Sequence, residues 1–340
     1  MSHSKHILVI RFSAMGDVAM SVPVLKSLLE HYPELKVTVV TKSFFKPLFD
    51  NLDVTVYEAD LKAKHKGVLG LYKLSRELKV LEIDGVADLH DVLRSKILKL
   101  FLPGLKKATI NKGRAEKKAL TSGQRFQQLK TTHQRYADVF KELGYSLDLS
   151  KPSFVKPQPL SADLKSYITD SNLPIIGVAP FAAHTGKMYP LNQMQEVIQE
   201  LSKFCNMLLF GGGPNEIEVL ATYEQKFDNT VSVAGKISFN EELQLISNLD
   251  LMLAMDSGNG HLAAIFGVKV LTIWGVTHPY AGFAPFNQPK DHQLIPDKKQ
   301  FPLIPTSVYG NTFPAGYEKA AASIPSKEII AKIKTSLSLE

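Results

Sequence analysis

Asp250-Leu251-Met252-Leu253-Ala254-Met255-Asp256-Ser257-Gly258-Asn259-Gly260-His261-Leu262-Ala263-Ala264 is the stretch whose reading decides the fold. Leu251 to Met255 form an apolar run that ends in Asp256, a position just past the carboxyl end of a buried strand. Ser257 to Gly260 make a small-residue turn, and His261 to Phe266 read as a short apolar helix. A second buried strand over 268–273 then empties into Trp274-Gly275-Val276-Thr277-His278-Pro279. Strand, turn, helix and strand form the unit of a parallel α/β sheet, in which ligands bind outside the carboxyl ends of the strands. A helix opened by glycines offers free N–H groups and a positive dipole end to an anion. The stretch therefore predicts a site for a phosphorylated ligand, with Asp256 and His261 placed to hydrogen-bond its polar groups. The alternative is an ordinary strand–helix turn with Asp256 or Ser257 as N-cap.

The same logic extends toward the N-terminus. His6 to Arg11 read as a buried strand, followed by Phe12-Ser13-Ala14-Met15-Gly16-Asp17 and one helix over 18–31. Strands are predicted over 36–41 and 54–57, a helix over 66–79, and further apolar runs over 80–84 and 86–90. Gly16 is the only glycine at the first turn, so the G-x-G-x-x-G dinucleotide fingerprint is missing and a nicotinamide enzyme is disfavoured. Asp17 sits where a helix begins and can be read as a capping acid. Helices are expected over about 91–101 and 125–143, with Lys106 to Lys118 as a basic loop between them. Pro152, Pro157, Pro159 and Pro174 mark a linker holding one short helix near 162–168.

Past the linker the strand–helix pattern restarts. Strands are expected over 174–179, 206–210 and 231–233 and helices over 193–204, from after Glu216 to Phe227, and over 240–248, with the opening stretch closing the sheet. Prolines break the chain after Pro279, and a last helix is expected to be capped by Ser326, with Ile329, Ile330, Ile333 and Leu337 on its apolar face. Three polar clusters fall where strands end: His184 to Pro190 with Lys187, the Gly211-Gly212-Gly213 turn before Glu216, and Asp256 to His261. Alone, Lys187 reads more readily as a surface lysine. Three strand ends on one crevice point to a nucleotide or nucleotide-sugar pocket.

Composition limits the alternatives. A chain of 340 residues, 44% hydrophobic, has material for two α/β domains. The single cysteine, Cys205, excludes an internal disulfide and reads as a small core residue. No signal peptide or membrane-spanning run is visible, so a cytoplasmic protein is expected. The net charge of +7 is concentrated between Arg94 and Arg135, where twelve Lys or Arg face one acid, Glu116. Such a segment suits a polyanionic partner. Nucleic acid is disfavoured because Lys106 to Lys118 holds no aromatic side chain to stack on bases. No D-x-D pair and no metal-ligand spacing among the histidines appears, so no metal and no cofactor is expected.

Arg11-Phe12-Ser13-Ala14-Met15-Gly16-Asp17-Val18 with Pro23 resembles the opening of the bacterial heptosyltransferases of lipopolysaccharide core synthesis, which belong to glycosyltransferase family 9. Asp256-Ser257-Gly258 with His261, Ala263-Ala264, Gly267-Val268 and Trp274 to Pro279 resembles the C-terminal signature of that family. His278 replaces the aspartate usual before the proline, and Tyr189 stands where tryptophan is common. The resemblance implies an α/β protein of the GT-B fold, two Rossmann-like domains with parallel sheets facing a central cleft. Residues 1–150 would bind the acceptor and residues 151–325 the nucleotide-sugar, with a linker at about 151–174 and a C-terminal helix over 326–340. It implies an inverting, metal-independent transfer of a heptose from a nucleotide-sugar such as ADP-heptose to a lipopolysaccharide core or other anionic lipid-linked saccharide acceptor. In this reading Asp17 is the catalytic base. Lys187, Glu216, Asp256, Ser257, Gly258 and His261 bind the donor, and Arg94, Lys112 and Arg114 the acceptor. Peripheral contact with the inner face of the cytoplasmic membrane follows from the basic segment. A nucleotide-sugar epimerase of similar shape and a non-catalytic nucleotide-sugar-binding protein are the alternatives.

Overall fold

In the computed structural model, which describes residues 5–339, the apolar runs become the interior strands of two all-parallel sheets. The chain runs through β1 (His6–Ile10), α1 (Met15–Ala19), α2 (Ser21–His31), β2 (Lys36–Thr41), β3 (Thr55–Glu58), α3 (Gly67–Lys79), β4 (Gly85–Asp88), α4 (Leu93–Leu100) and β5 (Lys106–Thr109). Next come α5 (Arg114–Thr121) and α6 (Thr132–Leu143). The first sheet has the order β3-β2-β1-β4-β5. Its middle strand, β1, buries Ile7 to Ile10, as strands covered on both faces must. The direction of strand addition reverses between β1 and β4, and their register sets Ile10 beside Asp88.

The second half contains α7 (Ala162–Lys165), β6 (Ile175–Ala179), α8 (Leu191–Leu201), β7 (Asn206–Leu209), α9 (Pro214–Lys226), β8 (Thr230–Ser232), α10 (Phe239–Ser247), β9 (Leu251–Met255), α11 (Gly258–Ile265), β10 (Lys269–Ile273), β11 (Gln293–Leu294) and α12 (Ser326–Leu337). Its sheet has the order β11-β10-β9-β6-β7-β8. The opening stretch does not close this sheet, because β9 lies in its interior between β10 and β6. The short edge strand β11, in the proline-rich region, is the element that no hydrophobic periodicity announces. Strand addition reverses here between β6 and β9.

By their packing the residues divide into two units that differ from the expected domains. One holds the chain up to Lys112 together with Thr132–Val155, and the other Gly113–Thr131 together with the chain from Lys156 onward. The expected basic loop over 106–118 is in fact an edge strand, β5, and a helix, α5. Lys106 and Lys107 are the exposed residues of that strand, charges that suit an unpaired edge. Helix α6 begins at Thr132, not near 125, and α5 with the segment after it packs inside the second unit. There Leu120 and Leu129 bury against Ala281, Leu129 N–H donates to the Tyr280 carbonyl (3.0 Å), and Lys117 lies 4.0 Å from the Phe283 ring centre. The helix expected over 18–31 is broken at Met20 into α1 and α2.

The terminal helix α12 is part of the second core, not an appendage, since Ile329 and Ile333 are fully buried among side chains of α8, β7 and β9. Ser326 is its first helical residue, and its hydroxyl donates to Glu196 instead of capping the helix. Tyr189 is fully buried and donates to the Ile324 carbonyl (2.8 Å), tying the start of α8 to the approach to α12. Cys205 is buried, and burial pushes its thiol up to about 11, so it behaves as an inert core residue. Among the described residues no helix is long and apolar enough to cross a membrane.

Trp274, the sole tryptophan, is fully buried in the second unit and reports its unfolding. Ile333→Ala removes a fully buried side chain and is expected to cost about 2–5 kcal/mol. A urea titration followed by Trp274 fluorescence should show a clearly lowered midpoint; an unchanged midpoint would mean that α12 does not belong to this core.

Candidate active site

In the first unit the chain leaves β1 at Arg11 and leaves β4 at Leu89. Because these strands are paired in parallel, the two exits lie side by side. Arg11 is 5% exposed and joins them: one guanidinium nitrogen donates to the Leu89 carbonyl (2.5 Å), and the other pairs with Asp17 Oδ2 (2.6 Å). Asp17 lies in the third position of α1, and its Oδ2 also accepts the Ala14 N–H (3.4 Å). Both fixed contacts use the same oxygen, so Oδ1 has no partner among the described residues, and the side chain is 31% exposed. The Tyr136 hydroxyl, on α6, donates to the Asp17 carbonyl (3.1 Å), while Arg11 lies 5.9 Å from the Tyr136 ring centre.

A neutral histidine completes this corner. His90 Nδ1 accepts the Phe12 N–H (3.4 Å), and its ring packs edge-on against Phe12. Burial, reinforced by the positive charges of Arg11 and Lys112, depresses His90 to about 4. Beneath it, fully buried Asp88 pairs with Lys99 (2.7 Å) and accepts the backbone N–H groups of His90 and Asp91. Lys99 is therefore spent inside the unit and does not contribute to a surface field.

In the second unit the corresponding exits are those of β6 and β9. A 3₁₀ turn over Thr185–Lys187 follows β6, and Asp256 follows β9 directly. Lys187 Nζ reaches Asp256 Oδ2 at 2.9 Å, and the Thr277 hydroxyl, beyond β10, donates to the same oxygen at 2.9 Å. Asp256 Oδ1 has no hydrogen-bond partner among the described residues. The pair is 16% and 6% exposed on its two side chains, dry enough that the charges hold each other in place.

The lysine is steered by glycines. The Gly186 carbonyl accepts the Val276 N–H (2.7 Å), and a side chain on Gly275 would collide with that carbonyl. Gly310, in the left-handed region at φ +79°, lies flat against the Lys187 stem, where a Cβ would stand 2.6 Å from Cγ.

Helix α11 opens beside Asp256. Ser257 is its N-cap residue, but the hydroxyl makes no capping bond; Oγ is buried with no hydrogen-bond partner among the described residues. The first turn holds Gly258, Asn259, Gly260 and His261, with no acidic side chain to satisfy its N–H groups. The helix is otherwise apolar and buried, so its amino end is the one polar feature it presents. His278 is buried, accepts the Tyr280 N–H through Nδ1 (3.1 Å), and packs against the rings of Phe126 and Tyr280. Burial, then the nearby Lys298, lowers His278 to about 4. Lys298 Nζ stands 3.4 Å from the Phe126 ring centre.

The expected donor residues Lys187, Asp256, Ser257, Gly258 and His261 thus collect at neighbouring strand exits. Glu216 lies one strand further along, at the exit of β7, where it accepts the Gly212 N–H (2.8 Å) and braces the glycine turn. The expected acceptor residues separate. Arg94 is exposed in the first turn of α4, and Lys112 donates to the Asp91 carbonyl (3.2 Å) in the first unit. Arg114 belongs to α5 and hence to the second unit. The twelve cations between Arg94 and Arg135 do not form one surface of the first unit: Lys117 and Arg135 are buried, and α5 carries its charges elsewhere. Arg11, His90, Tyr136 and Thr277 were not singled out as site residues from the sequence. Arg11 and Thr277 lie within the two end motifs; His90 and Tyr136 carry no local signal.

Comparison with known proteins gives the family. The sequence profile of Glycosyltransferase family 9 (heptosyltransferase) matches residues 71–300, more than half of the chain. The chain belongs to glycosyltransferase family 9. The enzyme is 25% identical over 298 residues to the lipopolysaccharide core heptosyltransferase OpsX of Haemophilus influenzae, covering 83% of this chain and 82% of that protein. In fold it is similar to the glycosyl transferase family 9 protein of Veillonella parvula, with a TM-score of 0.75 at 18% identity and 99% of each chain covered. It is also similar to the E. coli ADP-heptose lps heptosyltransferase II, with a TM-score of 0.68 at 18% identity and 98% of each chain covered. The family 9 enzyme is a glycosyltransferase with the two parallel α/β domains of the GT-B fold, as the end motifs led us to expect.

The two depressed histidines give the family 9 enzyme an acid limit. A histidine with a lowered folded pKa stabilises the fold above its unfolded value, about 6.5, and loses that contribution as pH falls toward about 4. For His278 this amounts to something on the order of 3 kcal/mol. Glu242 of the same unit, pushed up to about 7 by burial, acts in the opposite direction, so the contrast is between proteins: lowering the pH from 6.5 to 4 should destabilise wild type relative to His278→Gln, as read by the urea midpoint at Trp274. An identical pH dependence in the two proteins would show that His278 does not take up a proton on unfolding.

Proposed function

We propose that this enzyme transfers a heptose from ADP-heptose to a lipopolysaccharide core acceptor, with inversion at the anomeric carbon and without a metal ion. One observation carries the reading: in a family 9 chain, Asp17 keeps one carboxylate oxygen tied and leaves the other open. Arg11 and the Ala14 N–H orient Oδ2, and Oδ1 takes the proton of the acceptor hydroxyl as that oxygen attacks. Relatives named as a lipopolysaccharide core heptosyltransferase and a lipooligosaccharide heptosyltransferase, and the solved E. coli heptosyltransferase WaaC with ADP-2-deoxy-2-fluoro heptose, support the choice of donor and acceptor.

On the donor side, Lys187 contacts the diphosphate, as do the N–H groups at the start of α11, the Ser257 hydroxyl and His261. Asp256 offers Oδ1 to the sugar hydroxyls, and Glu216 holds the glycine turn toward the nucleotide. These groups neutralise the leaving diphosphate without a metal ion. Arg94 and Lys112 attract the anionic acceptor, whose lipid part brings the enzyme to the membrane surface.

Three variants test the assignment. Asp17→Asn should lower turnover about 10²–10⁴-fold with donor affinity nearly unchanged. A folded variant retaining more than half of the activity would return Asp17 to a capping role. Lys187→Ala removes a charge-assisted contact of about 1.5–3 kcal/mol and should weaken ADP-heptose about tenfold or more. Arg11→Met should reduce turnover while leaving donor affinity intact, since it frees the base without touching the second unit. Full activity in excess chelator is expected, and strict dependence on added magnesium or manganese would overturn the metal-free mechanism. Release of free sugar without acceptor would identify an epimerase instead.

A further inference from the structure

Among the described residues, six of the eleven large hydrophobic side chains left exposed lie between Val68 and Leu100. On α3, Leu69 is 85% exposed and is followed at one-turn spacings by Tyr72, Arg76 and, at the C-cap, Val80. The opposite stripe, Leu71, Leu74 and Leu78, is buried against the sheet. On α4, Leu93 and Leu100 project at the two ends of an exposed stripe, 73% and 77% exposed, with Lys96 between them. Tyr72 meets Phe101 edge-on with ring centres 5.3 Å apart, so the two stripes join into one face.

The exposed charge of this face is basic, although Lys96 lies 3.3 Å from Asp91, whose side chain is only 13% exposed. Lys73, Arg76 and Lys79 are exposed beside the apolar stripe of α3, and Arg94 and Lys96 beside that of α4. Helix α4 contains no acid. The one acid of α3, Glu77, is engaged by Lys64, His65 and the Tyr57 hydroxyl, which hold it down at about 2. Exposed aliphatic side chains ringed by Lys and Arg match the boundary of an anionic bilayer, where the apolar tips enter the acyl layer and the cations meet the headgroups. A protein partner would have to supply both an apolar surface and a matching acidic rim.

We infer that the joined outer face of α3 and α4 docks the enzyme on an anionic lipid surface. The inference rests on the reading of the acceptor as lipid-linked and says which face meets the membrane. Each helix starts at the carboxyl end of the strand before it, so Val68, Leu69 and Leu93 lie on the same rim of the first sheet as Asp17. Docking along this face, which runs from that rim to Val80 and Leu100 at the far ends of the helices, brings the rim alongside the bilayer surface, where an acceptor's lipid stays in the membrane.

The test is co-sedimentation of the full chain with phosphatidylcholine vesicles containing or lacking phosphatidylglycerol. Two paired variants, Leu69→Glu with Leu100→Glu and Lys73→Glu with Arg76→Glu, remove the apolar and the cationic component separately. The wild-type chain is expected to sediment with the anionic vesicles only. Each variant should weaken that partitioning about tenfold or more while transferring sugar to a deacylated, water-soluble acceptor at the wild-type rate. Equal partitioning of wild type and variants, or equal binding to neutral and anionic vesicles, overturns the inference. So does a dimer of the wild-type chain that Leu69→Glu with Leu100→Glu abolishes, because a second copy would then cover the face. Failure of the wild-type chain to transfer sugar to the soluble acceptor would instead overturn the functional reading, since vesicle binding is measured separately.

Discussion

A carboxylate drawn out of water needs a cation, and each half of this enzyme meets that need at a place where its sheet changes direction. Arg11 pairs with Asp17 at the exits of β1 and β4; Lys187 pairs with Asp256 at the exits of β6 and β9. Strands added first on one side and then on the other leave a crevice at the switch point, because the connections diverge there. The crevice admits side chains from both exits. In each case the pairing uses one carboxylate oxygen and spares the other, so the ion pair fixes the acid and keeps it available. Removing the cation leaves Asp256, the more buried of the two acids, without its counter-charge, which makes the Lys187–Asp256 contact structural as well as chemical.

The second pair also constrains the backbone around it. Lys187 can reach Asp256 only if the turn after β6 lies against the turn after β10, and the contact of Gly186 with Gly275 allows that approach. Gly310 closes the other side of the lysine stem from the proline-rich region. Residues from three distant parts of the chain thus share one small volume, and a methyl group on Gly186 or Gly275 would displace backbone atoms. The departures from the family pattern are accommodated nearby. Tyr189 is buried and finds a carbonyl for its hydroxyl, and His278 is held neutral within an aromatic cluster.

The basic segment shows how charge along a sequence differs from charge on a surface. Between Arg94 and Arg135 the cations alternate in fate. Lys99 neutralises a buried aspartate, Lys117 covers a phenylalanine, Arg135 is buried, and the stretch from Gly113 to Thr131 packs in the second unit. Among the cations that do stay on the outside of the first unit are Arg94 and Lys96 of α4 and Lys106 and Lys107 of the edge strand β5, and on α4, as on α3, they accompany exposed aliphatic side chains. Composition suggested a polyanionic partner but not which of these cations share a surface.

The sequence by itself determined what depends on neighbours along the chain. Unbroken apolar runs such as Leu251 to Met255 specified buried parallel strands, small residues after them specified open helix starts, and the two end motifs specified the family. It could not determine what depends on pairing across the chain. The interior position of β9 was hidden because β11 is two residues long with no periodicity of its own. The strand β5 was hidden because an edge strand tolerates Lys106 and Lys107, which read as loop. His90 and Tyr136 carry no signal, since only the register of β1 with β4 and the packing of α6 bring them to Asp17. Asp17 looked like a lone acid beside an apolar helix; that it is paired, and through which oxygen, was decided by tertiary structure, because an ion pair forms by distance in space and leaves no period in the sequence.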